Sequence, residues 1–350
     1  MSTAIIIGGA KGFAKYHATV ASNSHGINTV YLSRRKFANA RNDVETLSRE
    51  PSVGENIHWG AIEIDSPERL VEVLETKKTR LVCIAVRDPD RKFAPQIEYV
   101  EAVLETSKKN PDLRVFAEKP IDNPHKDYSF DRLALLNQKF GESNRFGYGL
   151  PSVPIFGEMK RDTRFGDFLA GAEKVEFYWS SKRDTDDIIA DLGAHVAPFF
   201  DDFELLQPDV KDYGNKATIE GTLKQVSTPR EVEVGIILER ENDFRGFRVT
   251  PKKGKPYVIA VKVEGVNNTL HYLENAPWIK TYLAGNKNVN GEPIGETVVN
   301  PLEMNIRALL EEKPIVGIGE TLQQHKALCG MMGRDGKYKE KQRHVYNPAS

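Results

Sequence analysis

The sequence predicts an α/β chain in two parts: an N-terminal doubly wound parallel sheet, then an α+β domain with a largely antiparallel, open sheet. Three observations carry that prediction. Apolar runs of strand length alternate with helix-like stretches through the first 148 residues, and such βαβ units place strands in parallel with helices on both faces. After residue 148 the strand-like runs are longer and few helices separate them, the mark of antiparallel pairing. A length of 350 residues suits two cores better than one. The expected division is 1–148, 149–333 and a charged, solvated tail over 334–350.

Ala4–Ile7 is a continuous apolar run ending in Gly8-Gly9, which suits a strand buried on both faces. Ile27–Leu32, Trp59–Ile64, Arg80–Val86 and Leu113–Ala117 read as the next four strands, with the intervening helices clearest over Phe93–Ser107 and Tyr128–Phe140. In the second part, Lys174–Trp179, Ala217–Leu223, Glu231–Leu238, Phe247–Thr250, Tyr257–Val263 and Thr269–Leu273 have strand character. Asp187–Leu206 reads as one amphipathic helix, because Ile188, Ile189, Leu192, Val196, Phe199, Phe200 and Phe203 fall at helical spacing behind an Asp186 or Asp187 N-cap. Pro301–Glu312 and Glu320–Met332 form a closing helical pair.

Composition excludes several function classes. With 39% hydrophobic and 28% charged residues the chain is neither disordered nor a membrane protein. Lys+Arg (49) and Asp+Glu (50) nearly cancel, which argues against a nucleic-acid or anionic-membrane surface. Two cysteines, Cys83 and Cys329, leave no disulfide framework and point to a reducing compartment. The N-terminal apolar run lacks a basic flank and a cleavage signature, and no run approaches the ~20 residues that cross a bilayer, so a cytoplasmic protein is expected. The histidines and cysteines show no metal-ligand spacing.

The first candidate site follows the first strand: Gly8-Gly9-Ala10-Lys11-Gly12-Phe13-Ala14. A glycine-rich turn admits a pyrophosphate to the backbone amides, and the helix start behind it adds donors and a positive dipole. Against G-x-G-x-x-G/A, the middle position is Lys11 if Gly9 leads, or Ala10 if Gly8 leads. Lys11 either donates to a phosphate or points at water. About 20 residues on, an NAD site would set an acid on the ribose 2'-hydroxyl. The second strand ends instead in Leu32-Ser33-Arg34-Arg35-Lys36, and guanidinium groups suit the 2'-phosphate of NADP, so NADP is favoured over NAD. The alternative is a basic, solvated helix start. Val86 and Arg87, at the head of the stretch ending at Arg91, are placed on the nicotinamide side of the cleft, with a charged surface loop as the other reading.

The second candidate site is Glu118-Lys119-Pro120, at the C-terminal end of a buried strand, where open α/β sheets bind ligands. Pro120 turns Lys119 away from helix and permits a cis bond before it. Beside a nicotinamide and another cation, the lysine's charge would be disfavoured, so it could hydrogen-bond a substrate oxygen and exchange a proton near neutral pH. Asp191 and His195 lie four apart, hence on one face of the predicted helix, and a carboxylate can orient an imidazole for proton transfer. A histidine packed within an amphipathic helix is the alternative. Tyr178, Trp179, Lys182, Arg183 and Asp184 precede that helix and either contact substrate or pack the strand.

Together these segments resemble the glucose–fructose oxidoreductase / inositol dehydrogenase / MocA-like family. Gly9-x-x-x-x-Ala14-x-x-His17, the Glu118-Lys119-Pro120 tripeptide and Asp191-Leu192-Gly193-Ala194-His195 match its motifs in order. The middle glycine is replaced, and Asp186-Asp187-Ile188-Ile189 stands where the family often has glycines. The resemblance implies a Rossmann domain with a nicotinamide cofactor, and Lys119, Asp191 and His195 lining the point where nicotinamide meets substrate. Hydride would pass between nicotinamide C4 and a carbinol or carbonyl carbon of a sugar, polyol or related small molecule. His195 would protonate the nascent alkoxide, Lys119 stabilise its charge, and Asp191 bind a substrate hydroxyl or position His195. A homodimer or homotetramer is implied as well. Competing readings are an imine or enone reductase, a redox-neutral enzyme, and an NADP-binding regulatory protein; retention of Lys119, Asp191 and His195 argues against the last.

Overall fold

The computed structural model describes residues 2–8, 13–86, 96–122, 124, 129–149, 171–181, 187–226, 230–240, 244–253, 257–264, 269–274, 292–297 and 301–333. The first sheet holds β1 (Ser2–Ile7), β2 (Ile27–Arg34), β3 (His58–Glu63), β4 (Thr79–Ile84), β5 (Arg114–Glu118) and β6 (Phe146–Gly149). Its order is β3-β2-β1-β4-β5-β6 and every pairing is parallel. The helices between strands are α1 (Phe13–Ser22), α2 (Phe37–Leu47), α3 (Pro67–Thr76), α4 (Gln96–Ser107) and α5 (Ser129–Phe140). Unbroken apolar runs follow from burial on both faces. Ile5, Ile7, Val82 and Ile84 face one core with Val100 and Leu104 of α4, whereas Ala4, Ile6, Leu81 and Cys83 face another with Ala14 and Ala18 of α1.

The second sheet holds β7 (Ala172–Ser180), β8 (Phe203–Asp212), β9 (Lys216–Gln225), β10 (Glu231–Glu239), β11 (Phe244–Pro251), β12 (Tyr257–Glu264), β13 (Thr269–Glu274) and β14 (Glu292–Thr297). The order is β14-β13-β12-β11-β7-β10-β9-β8. All pairings are antiparallel except β7 with β10, because the helical segment carries the chain out to the edge strand β8, from which β9 and β10 meander back to β7.

One element differs from the expectation. In place of a single helix over 187–206, residues Ile189–Gly193 form a π-turn, Ala194–Val196 one turn of α-helix and Ala197–Asp202 a 3₁₀ segment, and Phe203 opens β8. Pro198 supplies no N–H to an α-helical ladder, and the 3₁₀ segment starts around it. The apolar spacing misleads at its end: Phe203 stacks on Phe199 at 5.6 Å, but from a strand paired with Gln225. The cap is as expected, since Asp187 Oδ1 accepts from Ala190 N–H at 2.8 Å.

The closing pair, α6 (Pro301–Leu310) and α7 (Ile318–Met331), joins the cores. Leu302, Ile306 and Leu309 pack with Phe116 and Ala14 under the first sheet, while Leu328 and Met331 pack with Leu192 and Phe199 under the second. Burying these side chains on both sides contributes about 1.5–3 kcal/mol each and holds the helical segment against the C-terminal edge of β5. Among the described residues, no helix is long and apolar enough to cross a membrane, and no three His, Cys, Asp or Glu side chains group to hold a metal ion.

Candidate active site

The first half of the site lies where the sheet order reverses, between β1 and β4. There the chain is drawn tight. Gly8 N–H donates to Ser33 O at 3.3 Å and Ala85 N–H to Ile7 O at 2.8 Å. Gly8 has φ +126°, and a Cβ on it would stand 2.3 Å from Ala85 O, so only glycine fits. Ala14, in the first turn of α1, is buried against the same point. Gly9, Lys11, Gly12 and Arg87 lie outside the described residues, and Phe13 opens α1. Val86 is half-buried and packs on the core of the first sheet. Ser33 is buried at the end of β2 beside Gly8, and its hydroxyl has no hydrogen-bond partner among the described residues. A buried hydroxyl in that condition suits a ribose or phosphate oxygen.

The two arginines are not equivalent. Arg34 Nε donates to Asp43 Oδ2 of α2 at 2.6 Å, so a carboxylate nine residues on already engages this guanidinium. Arg35 is exposed, and its charge reaches Tyr99, whose phenol is raised mainly by burial. Asp43 is a residue the sequence reading misses; its place in the helix after the basic run is the signal that would find it.

The second half is built on β5. Phe116 and Ala117 are fully buried, the strand ends at buried Glu118, and buried Lys119 follows it, with a cis bond between Lys119 and Pro120. Lys119 Nζ donates to Asp191 Oδ1 at 2.6 Å and to Asp191 O at 3.0 Å. The structure therefore brings Lys119 and Asp191 together from the two cores. His195 follows one turn later, buried, its ring stacked on the Trp179 indole with centroids 5.1 Å apart and planes 13° apart. Strand alternation separates the neighbours suggested as substrate contacts: Trp179 joins the core that holds Leu192 and Val196, while Tyr178 bonds Glu176 and its phenol is pushed up to about 12 by burial and that carboxylate. Lys182, Arg183 and Asp184 lie outside the described residues.

Two further partners hold the tripeptide in place. His17 Nε2 lies 2.8 Å from Glu118 Oε1, and Glu118 Oε2 accepts the Lys119 backbone N–H at 3.2 Å. Gln96 Nε2 donates to Pro120 O at 3.1 Å. Burial, reinforced by the Glu118 carboxylate, pushes the Cys83 thiol and the Tyr148 phenol well above their ordinary ranges, so neither is a nucleophile or base. Chemically, this end of the sheet gathers a buried ammonium, the carboxylate it donates to and, one turn on, a buried imidazole.

No protein-family profile matches the sequence, and no curated protein sequence does. Solved structures do match in shape. A UDP-N-acetylglucosamine 3-dehydrogenase from Acidithiobacillus ferrooxidans is 14% identical with a TM-score of 0.60, over 95% of this chain and 97% of that one. A 3-ketoreductase variant from Actinomadura kijaniata, in complex with TDP-benzene and NADP, is 11% identical with a TM-score of 0.63, over 95% and 98%. The myo-inositol dehydrogenase from Lactobacillus casei, in complex with NAD(H) and myo-inositol, is 11% identical with a TM-score of 0.61, over 95% and 94%. With its β3-β2-β1-β4-β5-β6 sheet and eight-stranded partner, this chain has the fold of the glucose–fructose oxidoreductase / inositol dehydrogenase / MocA-type dehydrogenases.

Proposed function

We propose that the protein is an NAD(P)-dependent oxidoreductase, with NADP preferred, that interconverts a hydroxyl and a carbonyl on a sugar, polyol or related small molecule. The observation that carries this reading is the Lys119–Asp191 contact, 2.6 Å between residues 72 apart in sequence, at the C-terminal end of β5. It agrees with the ligands named for the similar structures, NADP in one and NAD(H) with myo-inositol in another.

The residues present suit a dinucleotide. Gly8, at positive φ and pressed on Ala85, lets the chain turn tightly between β1 and α1, the buried Ser33 hydroxyl has no hydrogen-bond partner among the described residues, and Arg35 carries the positive charge for a 2'-phosphate. Bound there, the nicotinamide supplies the hydride donor or acceptor. The chain's own residues manage the substrate oxygen. Lys119 donates a hydrogen bond to it and stabilises negative charge as the carbonyl becomes an alkoxide. His195 delivers the proton in the reductive direction and removes it in the oxidative one, its ring plane set by Trp179. Asp191 anchors the Lys119 ammonium, so the lysine reaches the oxygen from a fixed point.

Calorimetric titration of the purified protein with NADP(H) and NAD(H), side by side, tests the cofactor. Tight NADP(H) with much weaker NAD(H) is expected. NAD(H) preference would remove the Arg35 argument and keep the fold, and binding of neither would remove the enzyme reading. Turnover of sugar and polyol carbonyls, followed at the reduced nicotinamide band, tests the reaction. Assembly into a homodimer or homotetramer belongs to the same reading, and a monomeric mass by light scattering at micromolar protein would remove it.

A further inference from the structure

The chemistry above makes no use of a buried polar pair directly behind it. His17 is fully buried in α1, its ring tilted against Phe116 at 5.4 Å. Its Nε2 meets Glu118 Oε1 at 2.8 Å, and its Nδ1, also buried, has no hydrogen-bond partner among the described residues. Glu118 is engaged on both oxygens, one by His17 and the other by the backbone N–H of Lys119. The carboxylate therefore cannot turn without moving the peptide of the residue that reaches Asp191.

We propose that His17 is a positioning residue that couples dinucleotide binding to the placement of Lys119. The proposal rests on the reading that the turn before α1 holds the cofactor's phosphates. Contact of that phosphate with the start of α1 passes along the helix to the His17 imidazole, from there to Glu118, and from Glu118 to the Lys119 peptide. Three features favour this over a purely structural tie. The helix is already attached to the sheet by Ala14, Ala18 and Ala21, which pack with Ile6 and Leu32. A buried histidine–carboxylate pair stabilises no better than apolar side chains of similar size. And the tripeptide's other clamp, Gln96 on Pro120 O, comes from α4 rather than from the element that follows the cofactor turn. The lysine then bridges to Asp191, so a displacement of about 1 Å at its peptide is enough to misplace the ammonium.

Hydrogen exchange by mass spectrometry over Arg114–Ile121, with and without saturating NADPH, tests the coupling in the full-length protein. In the wild type, NADPH should slow exchange in this segment on the order of tenfold. His17→Leu should remain folded by circular dichroism and still bind NADPH by calorimetry, weakened on the order of tenfold, but show no slowing in the segment. His17→Gln, whose amide can donate to Glu118, should restore it. If His17→Leu does not fold, Glu118→Gln breaks one of the two links while keeping shape, and is read the same way. Slowing retained in His17→Leu overturns the proposal, and so does a wild type that binds NADPH without slowing. Loss of NADPH binding in a folded His17→Leu protein would place His17 in the cofactor turn itself and also overturn it. A wild type that does not bind NADPH at all is a different failure, visible without any variant, and removes the underlying reading as well.

Discussion

Removing Lys119 alone should destabilise the protein, whereas removing it together with Asp191 should leave stability nearly unchanged. The side chains are 4% and 6% exposed, with Nζ 2.6 Å from Oδ1. At an effective dielectric of ~20, unit charges at that separation attract by about 6 kcal/mol. Taking both ions out of water opposes this by several kcal/mol each, so the pair contributes a net near zero. Either ion left alone, however, is buried without compensation. Lys119→Met or Asp191→Leu should therefore destabilise the protein by about 3–5 kcal/mol, while the double variant should lie within about 1 kcal/mol of wild type. A double-mutant cycle in guanidinium chloride, followed by tryptophan fluorescence, measures this. The double variant should be stable yet slower in turnover by about 10²- to 10⁴-fold, separating the two roles of the pair. A Lys119→Met protein that unfolds at the wild-type midpoint would refute the burial argument. A double variant with wild-type turnover would refute the catalytic one.

Other consequences are more local. Gly8→Ala forces a Cβ to 2.3 Å from Ala85 O at a positive φ, so it should cost about 1–3 kcal/mol and weaken dinucleotide binding, and an unchanged thermal midpoint would count against the tight turn. Because Arg35 is exposed just beyond β2, Arg35→Ala should raise the NADP(H) dissociation constant by about 10- to 100-fold while sparing NAD(H), as read by calorimetry. Burial lowers the His325 pKa from 6.5 to about 4, with Ser129 Oγ 2.9 Å from its Nε2. Between those values the unfolded chain binds the proton more readily, so the contribution of His325 is whole above pH 6.5. It falls by about 3 kcal/mol as the pH drops toward 4, and His325→Gln should flatten the stability profile across that window.

The sequence discloses what is decided locally. The strands of the first sheet show as apolar runs because both their faces are buried, and the Gly8 turn shows because no other residue fits there. β6 does not show: Phe146-Gly147-Tyr148-Gly149 is short and half glycine, a poor strand by propensity. Its glycines answer to a neighbour, since a Cβ on Gly149 would stand 2.2 Å from Phe116 Cζ. The segment after Asp187 carries a helical apolar period and is helical only in short pieces, because Pro198 interrupts the ladder and β9 recruits Phe203.

The same division runs through the site. Lys119, Asp191 and His195 can be picked out by side-chain chemistry and motif, but their pairing cannot, because contacts across 72 residues, like the His17–Glu118 contact across 101, leave no period in a sequence. The sequence reading allots the Asp191 carboxylate to a substrate hydroxyl or to His195. In the structure its Oδ1 is held by Lys119, and the His195 ring is held by the face of Trp179. In the proposed reaction, the lysine that stabilises charge is thus anchored by Asp191, and the imidazole that moves the proton lies on Trp179. A change at Trp179 should disturb the proton step by freeing the imidazole plane, whereas a change at Asp191 should release the lysine.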